Sequence, residues 1–192
     1  RVRHLLKGTA RLEFRLTADP QELSTSLKNI ISYYNNADST AKADTSAQQA
    51  SQHNPLLRVM VPQGRRVIFG SATAKDTAAV DSLLNNDKVE RMLPRDVTLM
   101  WTAKPEFTSK DGKKYFNLIG VKKQVELKGD VIEEARPTFD RYTNAPEVSM
   151  TMNREGARKW ARITGANIGK PIAIILDGYV YTYPNVITKI SD

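Results

Sequence analysis

Apolar and polar residues alternate over Ala10–Thr17. Leu12, Phe14 and Leu16 point one way and Arg11, Glu13 and Arg15 the other, the period of a half-buried strand with a charged outer face. Upstream, Arg1–Lys7 reads as the end of a helix stopped by Gly8. Asp19-Pro20 then supplies an N-cap and a first-turn proline. Leu23, Leu27, Ile30, Ile31 and Tyr34 follow at helical spacing. From Asn35 to Asn54 there is no Val, Ile, Leu, Met, Phe, Trp or Tyr. Such a stretch cannot build a core, and it reads as a long surface excursion or a partly helical, alanine-rich one.

Leu56–Val61 and Arg66–Phe69 are short strand-like runs separated by the turn signal Pro62-Gln63-Gly64. Ala74–Leu84 has helical spacing, with Ala79, Val80, Leu83 and Leu84 on one side, and Asn85-Asn86-Asp87 ends it. Val89–Leu93 reads as a short second helix before Pro94. Val97–Thr102 alternates as a strand. Lys110-Asp111-Gly112-Lys113 is a turn, and Tyr115–Leu127 continues the sheet.

The last third is patterned most clearly. Glu147–Met152 is a strand with Val148, Met150 and Met152 on one face. Asn153 is an N-cap and Glu155 suits the first turn of the helix that follows. Ala157, Trp160, Ala161 and Thr164 lie at i, i+3, i+4 and i+7, with Arg158, Lys159 and Arg162 on the other side. Gly165 and Asn167–Pro171 stop the helix. Ile172–Leu176 is a buried strand, Asp177-Gly178 a type I′ hairpin turn, and Tyr179–Pro184 the return strand. Tyr179, Tyr181 and Tyr183 share one face of it, as cross-strand packing or as a binding surface.

Composition narrows the function. The chain has 192 residues, enough for one domain or one domain with a large insertion. It has no cysteine, which excludes a disulfide scaffold, a thiol nucleophile, a cysteine zinc site and an iron–sulfur cluster. The two histidines, His4 and His53, do not supply a multi-histidine metal site. The longest aliphatic run, Ile172–Leu176, is far short of the ~20 residues of a membrane-spanning helix. The chain opens Arg1-Val2-Arg3 without Met and reads as a piece of something longer.

Twenty-nine basic and 21 acidic residues leave a net charge of +8. A basic balance raises nucleic acid as a partner. The excess, however, alternates with acidic stretches and never forms a block, so it reads as a solvated, mildly basic surface. Trp101, Phe107, Tyr115 and Phe116 interleave with lysines and could stack bases or simply pack a sheet. No nucleophile elbow, Walker A loop or dinucleotide-binding glycine pattern occurs, and Glu133-Glu134 are adjacent rather than convergent. The chain carries no catalytic motif and calls for no cofactor.

The ordered motifs carry a resemblance. Gly129–Arg136, then Pro146-Glu147-Val148-Ser149-Met150-Thr151-Met152-Asn153-Arg154-Glu155-Gly156-Ala157-Arg158-Lys159-Trp160, then Asn167-Ile168-Gly169-Lys170-Pro171, Leu176-Asp177-Gly178-Tyr179-Val180 and Pro184 resemble the SecD family of protein-export membrane proteins, including the SecD half of fused SecDF. Leu5–Leu16 resembles the segment just upstream in the same family. The resemblance implies an α+β fold lying outside the cytoplasmic membrane on the periplasmic side. It has a discontinuous ferredoxin-like base (1–17 and 129–192), built on a split βαβ arrangement, and an α/β head inserted at 18–128. It also implies a non-enzymatic role in which the head contacts emerging unfolded preprotein and swings against the base. SecF and the SecYEG translocon are the implied partners through the membrane-anchored parent, and nucleic acid is not one. Proton chemistry belongs to membrane spans outside these residues. Trp101, Phe107, Tyr115 and Phe116 are the candidate preprotein contacts. Thr17, Asp19, Pro20, Lys128 and Gly129 are the candidate hinges. Gly156, Ile168, Gly169, Lys170, Asp177, Gly178 and Pro184 are the family's structural motif positions.

Overall fold

A computed structural model describes residues 11–37, 53–144 and 146–190. The expected helix end at Arg1–Lys7 and most of the Asn35–Asn54 stretch lie outside the described residues. Among the described residues the architecture is mixed α+β with three antiparallel sheets. The chain divides into two compact units, one of residues 1–16 with 124–192 and one of residues 17–123.

The continuous unit begins with helix α1 (Pro20–Ala37). Asp19 caps it as expected: its Oδ1 accepts the N–H groups of Gln21 and Glu22 at 2.9 and 3.1 Å. Leu23, Leu27, Ile30 and Tyr34 are buried along one stripe. The next element corrects an expectation. Residues 55–59 are not a strand but helix α2 (Pro55–Val59). Asn54 Oδ1 accepts the N–H groups of Leu56 and Leu57 at 3.0 and 3.3 Å, and Pro55 sits at the first helical position, a pairing that favours helix over strand.

Strands β2 (Val61–Arg65) and β3 (Ile68–Thr73) form a hairpin. Its turn is at Arg66-Val67, not Pro62-Gln63-Gly64, and Arg66 has φ +53°. Pro62 is tolerated because β2 is an edge strand. Helices α3 (Thr77–Leu84) and α4 (Asp87–Glu90) follow, then β4 (Val97–Trp101), β5 (Phe107–Thr108) and β6 (Lys114–Lys122). The sheet runs β2-β3-β6-β4, with β5 beside β6. Leu23, Ile30, Leu56, Phe69, Val80, Val97 and Leu118 join the helices to one face of it. Tyr34 donates its hydroxyl to the Leu83 carbonyl, joining α1 to α3, and burial pushes its pKa up.

The other unit is built on β1 (Leu12–Leu16), β7 (Leu127–Lys128), β10 (Ile172–Leu176) and β11 (Tyr179–Thr182), in the order β11-β10-β1-β7. A 3₁₀ turn (Gly129–Val131) leads into β8 (Ile132–Phe139), which pairs only with β9 (Pro146–Met152) as a separate hairpin. The strand at 147–152 therefore lies outside the sheet that holds β1, and β10 alone of the two expected neighbours pairs with β1. Helix α5 (Arg154–Ala166) is capped by Asn153, whose Oδ1 accepts the Gly156 N–H at 2.8 Å. Leu12, Phe14, Leu127, Ile163, Ile172 and Ile174 form the core, and Trp160 packs on Phe14 with ring centroids 5.1 Å apart.

The outer face of β1 is not solvated as its charges predicted. Glu13 is 3% exposed and Arg15 9%. Their burial is tolerated because the Glu13 carboxylate accepts from Arg15 at 2.7 Å and from Arg11 at 2.6 Å, so each buried charge is paired.

Candidate functional site

The four aromatic candidates do not form one surface. Trp101 is only 8% exposed, packs in the core of the continuous unit and donates its indole N–H to Asp81 Oδ1 at 2.7 Å. Phe116, two residues before Leu118 on β6, packs against the same core. Phe107 and Tyr115 pair across β5 and β6 and stack with centroids 4.8 Å apart and planes 3° from parallel. Of this pair Phe107 is exposed and Tyr115 half-buried, beside the turn at Ser109–Lys113. There Asp111 accepts from Ser109 and Lys113, and these bonds hold its pKa below the usual carboxylate range.

Of the hinge candidates, Thr17 and Lys128 are tied into strand pairing. Thr17 bridges Val121, and the next N–H, on Ala18, donates to Gly120 O at 2.9 Å. Asp19 and Pro20 open α1. Lys128 stands opposite Glu13 in the β1–β7 pairing, and a Cβ at Gly129 would stand 3.2 Å from Leu12 Cβ. The chain passes from one unit to the other after Leu16 and after Lys123.

The motif residues have structural work. A Cβ on Gly156 would stand 2.8 Å from Val131 Cβ, so only glycine lets α5 start against the 3₁₀ turn. Gly169 has φ +82° and donates to Val186 O at 2.7 Å, and Lys170 O accepts from Val186 N at 3.0 Å. Asp177 and Gly178, at φ +50° and +85°, make the I′ turn, and Asp177 Oδ1 accepts the Arg11 N–H at 2.7 Å. Pro184 O accepts from Ile172 N at 3.0 Å. Ile168, between Asn167 and Gly169, is left exposed.

The site that sequence reasoning missed lies within the discontinuous unit. Met150, Met152, Trp160, Ile172, Ile174 and Pro184 line an apolar groove of about 660 Å³. Methionine and tryptophan side chains make an adaptable, sequence-tolerant lining. The alternation of Met150 and Met152 was legible, but not that their strand would leave the β1 sheet. Among the described residues β9 pairs only with β8, which leaves its other edge without a strand partner there, with Thr151 and Arg154 among the groove residues. A second hollow of about 860 Å³ in the continuous unit is lined by charges of both signs, Asp81, Asp87 and Glu90 with Arg91, Arg95 and Lys123. No cluster of three or more metal-ligating His, Asp or Glu side chains occurs among the described residues, and no described helix is long and apolar enough to cross a membrane.

Comparison with known proteins gives consistent relatives. Residues 104–192 match the family described as SecDF, P1 head subdomain. That match starts inside the continuous unit and extends over the described part of the other from Gln124 on. The chain is 50% identical to the protein translocase subunit SecD of Rhodothermus marinus over 99% of its own length and 33% of that protein. It is 35% identical to SecD of Magnetococcus marinus over 60% of the chain and 22% of the relative. It is 48% identical to SecDF of Thermus thermophilus over 30% of the chain and 8% of the relative. The chain thus spans about a third of the Rhodothermus protein. Among solved structures, "Structure and function of a membrane component SecDF that enhances protein export" aligns over 94% of this chain and 82% of that one, at 22% identity and a TM-score of 0.34. A superposition that loose adds no weight to the sequence identity.

Proposed function

We infer the role of the chain from one premise: it belongs to the SecD family, as its P1 segment. From that premise the chain is a periplasmic domain of a Sec translocation accessory protein that holds unfolded polypeptide as it emerges. The family is one of accessory proteins, not enzymes. The part of this reading that belongs to the whole protein is association with SecF and SecYEG, with proton-motive force supplied through membrane spans.

The observation that carries polypeptide binding is the groove floored by Met150, Met152 and Trp160 beside the edge of β9 that has no strand partner among the described residues. An incoming extended segment adds to the edge through backbone hydrogen bonds, which are blind to sequence. It lays alternate side chains into the soft floor. Phe107, exposed and stacked on Tyr115, is a smaller secondary contact. The two units, joined at Leu16–Thr17 and Lys123–Gln124, are proposed to move relative to each other during release.

The test is site-specific photo-crosslinking to an unfolded client chain in the full-length protein. A probe at Thr151 is expected to label strongly, a probe at Phe107 weakly and a probe at Asp87 not at all. Equal labelling at all three positions, or none at Thr151, would overturn the assignment.

A further inference from the structure

At the C-terminal end of α5 the fold gathers residues distant in sequence. Gly169 and Lys170 bond to Val186, and Pro171 bridges Asn185. The Ile190 N–H donates to Thr164 Oγ1 at 3.0 Å. The segment 184–190 is thereby fastened along the helix end, with Val186 turned into the core. Its neighbours point outward: Ile187 is 88% exposed, Ile168 55% and Ile190 40%. Ile168 and Ile187 stand in water beside the Gly169–Val186 bond, whereas Ile190 borders the groove of Met150 and Trp160.

Along this part of the chain the charge is mostly of one sign. From Gly156 to Ile190 the basic residues are Arg158, Lys159, Arg162, Lys170 and Lys189, and the one acidic residue is Asp177. Lys159 is neutralised by Glu155 at 2.7 Å. Asp177 lies in the β10–β11 hairpin, bound to Arg11, at the far end of a five-residue strand and so roughly 16 Å away. Arg158 and Arg162 are i, i+4 on α5, an arrangement of like charges that weakens a helix. Gly165 continues their ridge, and the Lys189 stem lies across it, 3.4 Å from where a Cβ would be.

We propose that this end of the unit is a docking surface for an anionic lipid bilayer. Ile168 and Ile187 enter at headgroup depth, and Arg162, Lys170 and Lys189 meet the lipid phosphates. Exposed aliphatics alone would fit any apolar partner, and cations alone any polyanion. Long-stemmed cations adjoining short apolar protrusions match the one surface that is anionic outside and hydrocarbon a few ångströms in.

The test is sedimentation of the 192-residue chain with vesicles of mixed phosphatidylglycerol and phosphatidylcholine, against phosphatidylcholine alone. Binding is expected only to the anionic vesicles and is expected to fall steeply with salt. Arg162→Gln, Lys170→Gln and Lys189→Gln should each weaken it about fivefold. Ile187→Glu should abolish it and Ile187→Leu preserve it, both with an unchanged melting temperature because the side chain is almost wholly exposed. Lys110→Gln and Lys114→Gln, which remove the same charge from the other unit, should leave it unchanged. Equal binding to neutral vesicles, or equal weakening by both sets of lysine changes, would overturn the proposal. So would capture by an acidic peptide with anionic vesicles left unbound, which would assign the surface to a protein partner.

Discussion

Single side chains decide local structure where they satisfy backbone groups that would otherwise be stranded. Asn54 is the clearest case. It is fully buried, caps α2, and donates from Nδ2 to Ile31 O at 3.0 Å and Asn35 Oδ1 at 2.7 Å. Asn54→Ala removes a cap and leaves buried partners unmet, so it should lower stability by about 2 kcal/mol, measured by chemical denaturation. Asp140 does similar work at the exposed β8–β9 tip. Its Oδ1 accepts from the Thr143 N–H, the Tyr142 N–H and the Thr143 hydroxyl, and these bonds hold its pKa below the ordinary aspartate value. A lowered folded pKa means the stabilisation is fully present above the unfolded value and is lost as pH falls through the lowered one. Amide exchange at Tyr142 and Thr143 should therefore accelerate in acid, relative to neighbouring amides after correction for intrinsic rates. In Asp140→Asn that acid dependence should vanish.

At the scale of elements, much was legible. Asp19-Pro20, Asn153 and Asp177-Gly178 each carry a local signal whose geometry needs no distant partner, and α1, α5 and the β10–β11 hairpin follow from them. Elements whose signals are weak or contradictory were not legible. Leu56–Val59 looks strand-like until Asn54-Pro55 is weighed as a cap. β8, with Glu133, Glu134 and Pro137 inside it, shows no apolar–polar alternation. Gly156 links element to packing. Gly156→Ala forces its new methyl against Val131 and should lower stability by about 1–3 kcal/mol despite the better helix propensity of alanine.

For the whole molecule, chain continuity governs what can fold alone. Residues 17–123 contain their entire sheet and core. An isolated 17–123 fragment should give a cooperative melting transition by circular dichroism. Residues 124–192 lack β1, the strand between β10 and β7 that supplies Phe14 to the core, and alone they should show none. Phe14→Ala in the full chain should cost about 3–5 kcal/mol of that unit's stability and leave the other unit's transition in place.

The sequence by itself determined the helices and turns with local caps, the lack of thiol and multi-histidine chemistry, and, through its ordered motifs, the SecD family. Those properties depend on residue type and short spacing, which are present in the linear chain. Only the tertiary structure decided that Trp101 and Phe116 face inward, that β9 leaves the β1 sheet and opens a groove beside Trp160, and that Ile168 and Ile187 are left exposed. The strand period states that alternate residues differ in burial. It does not state which face meets a core, nor which strand lies alongside, because both are set by contacts between residues far apart in the chain.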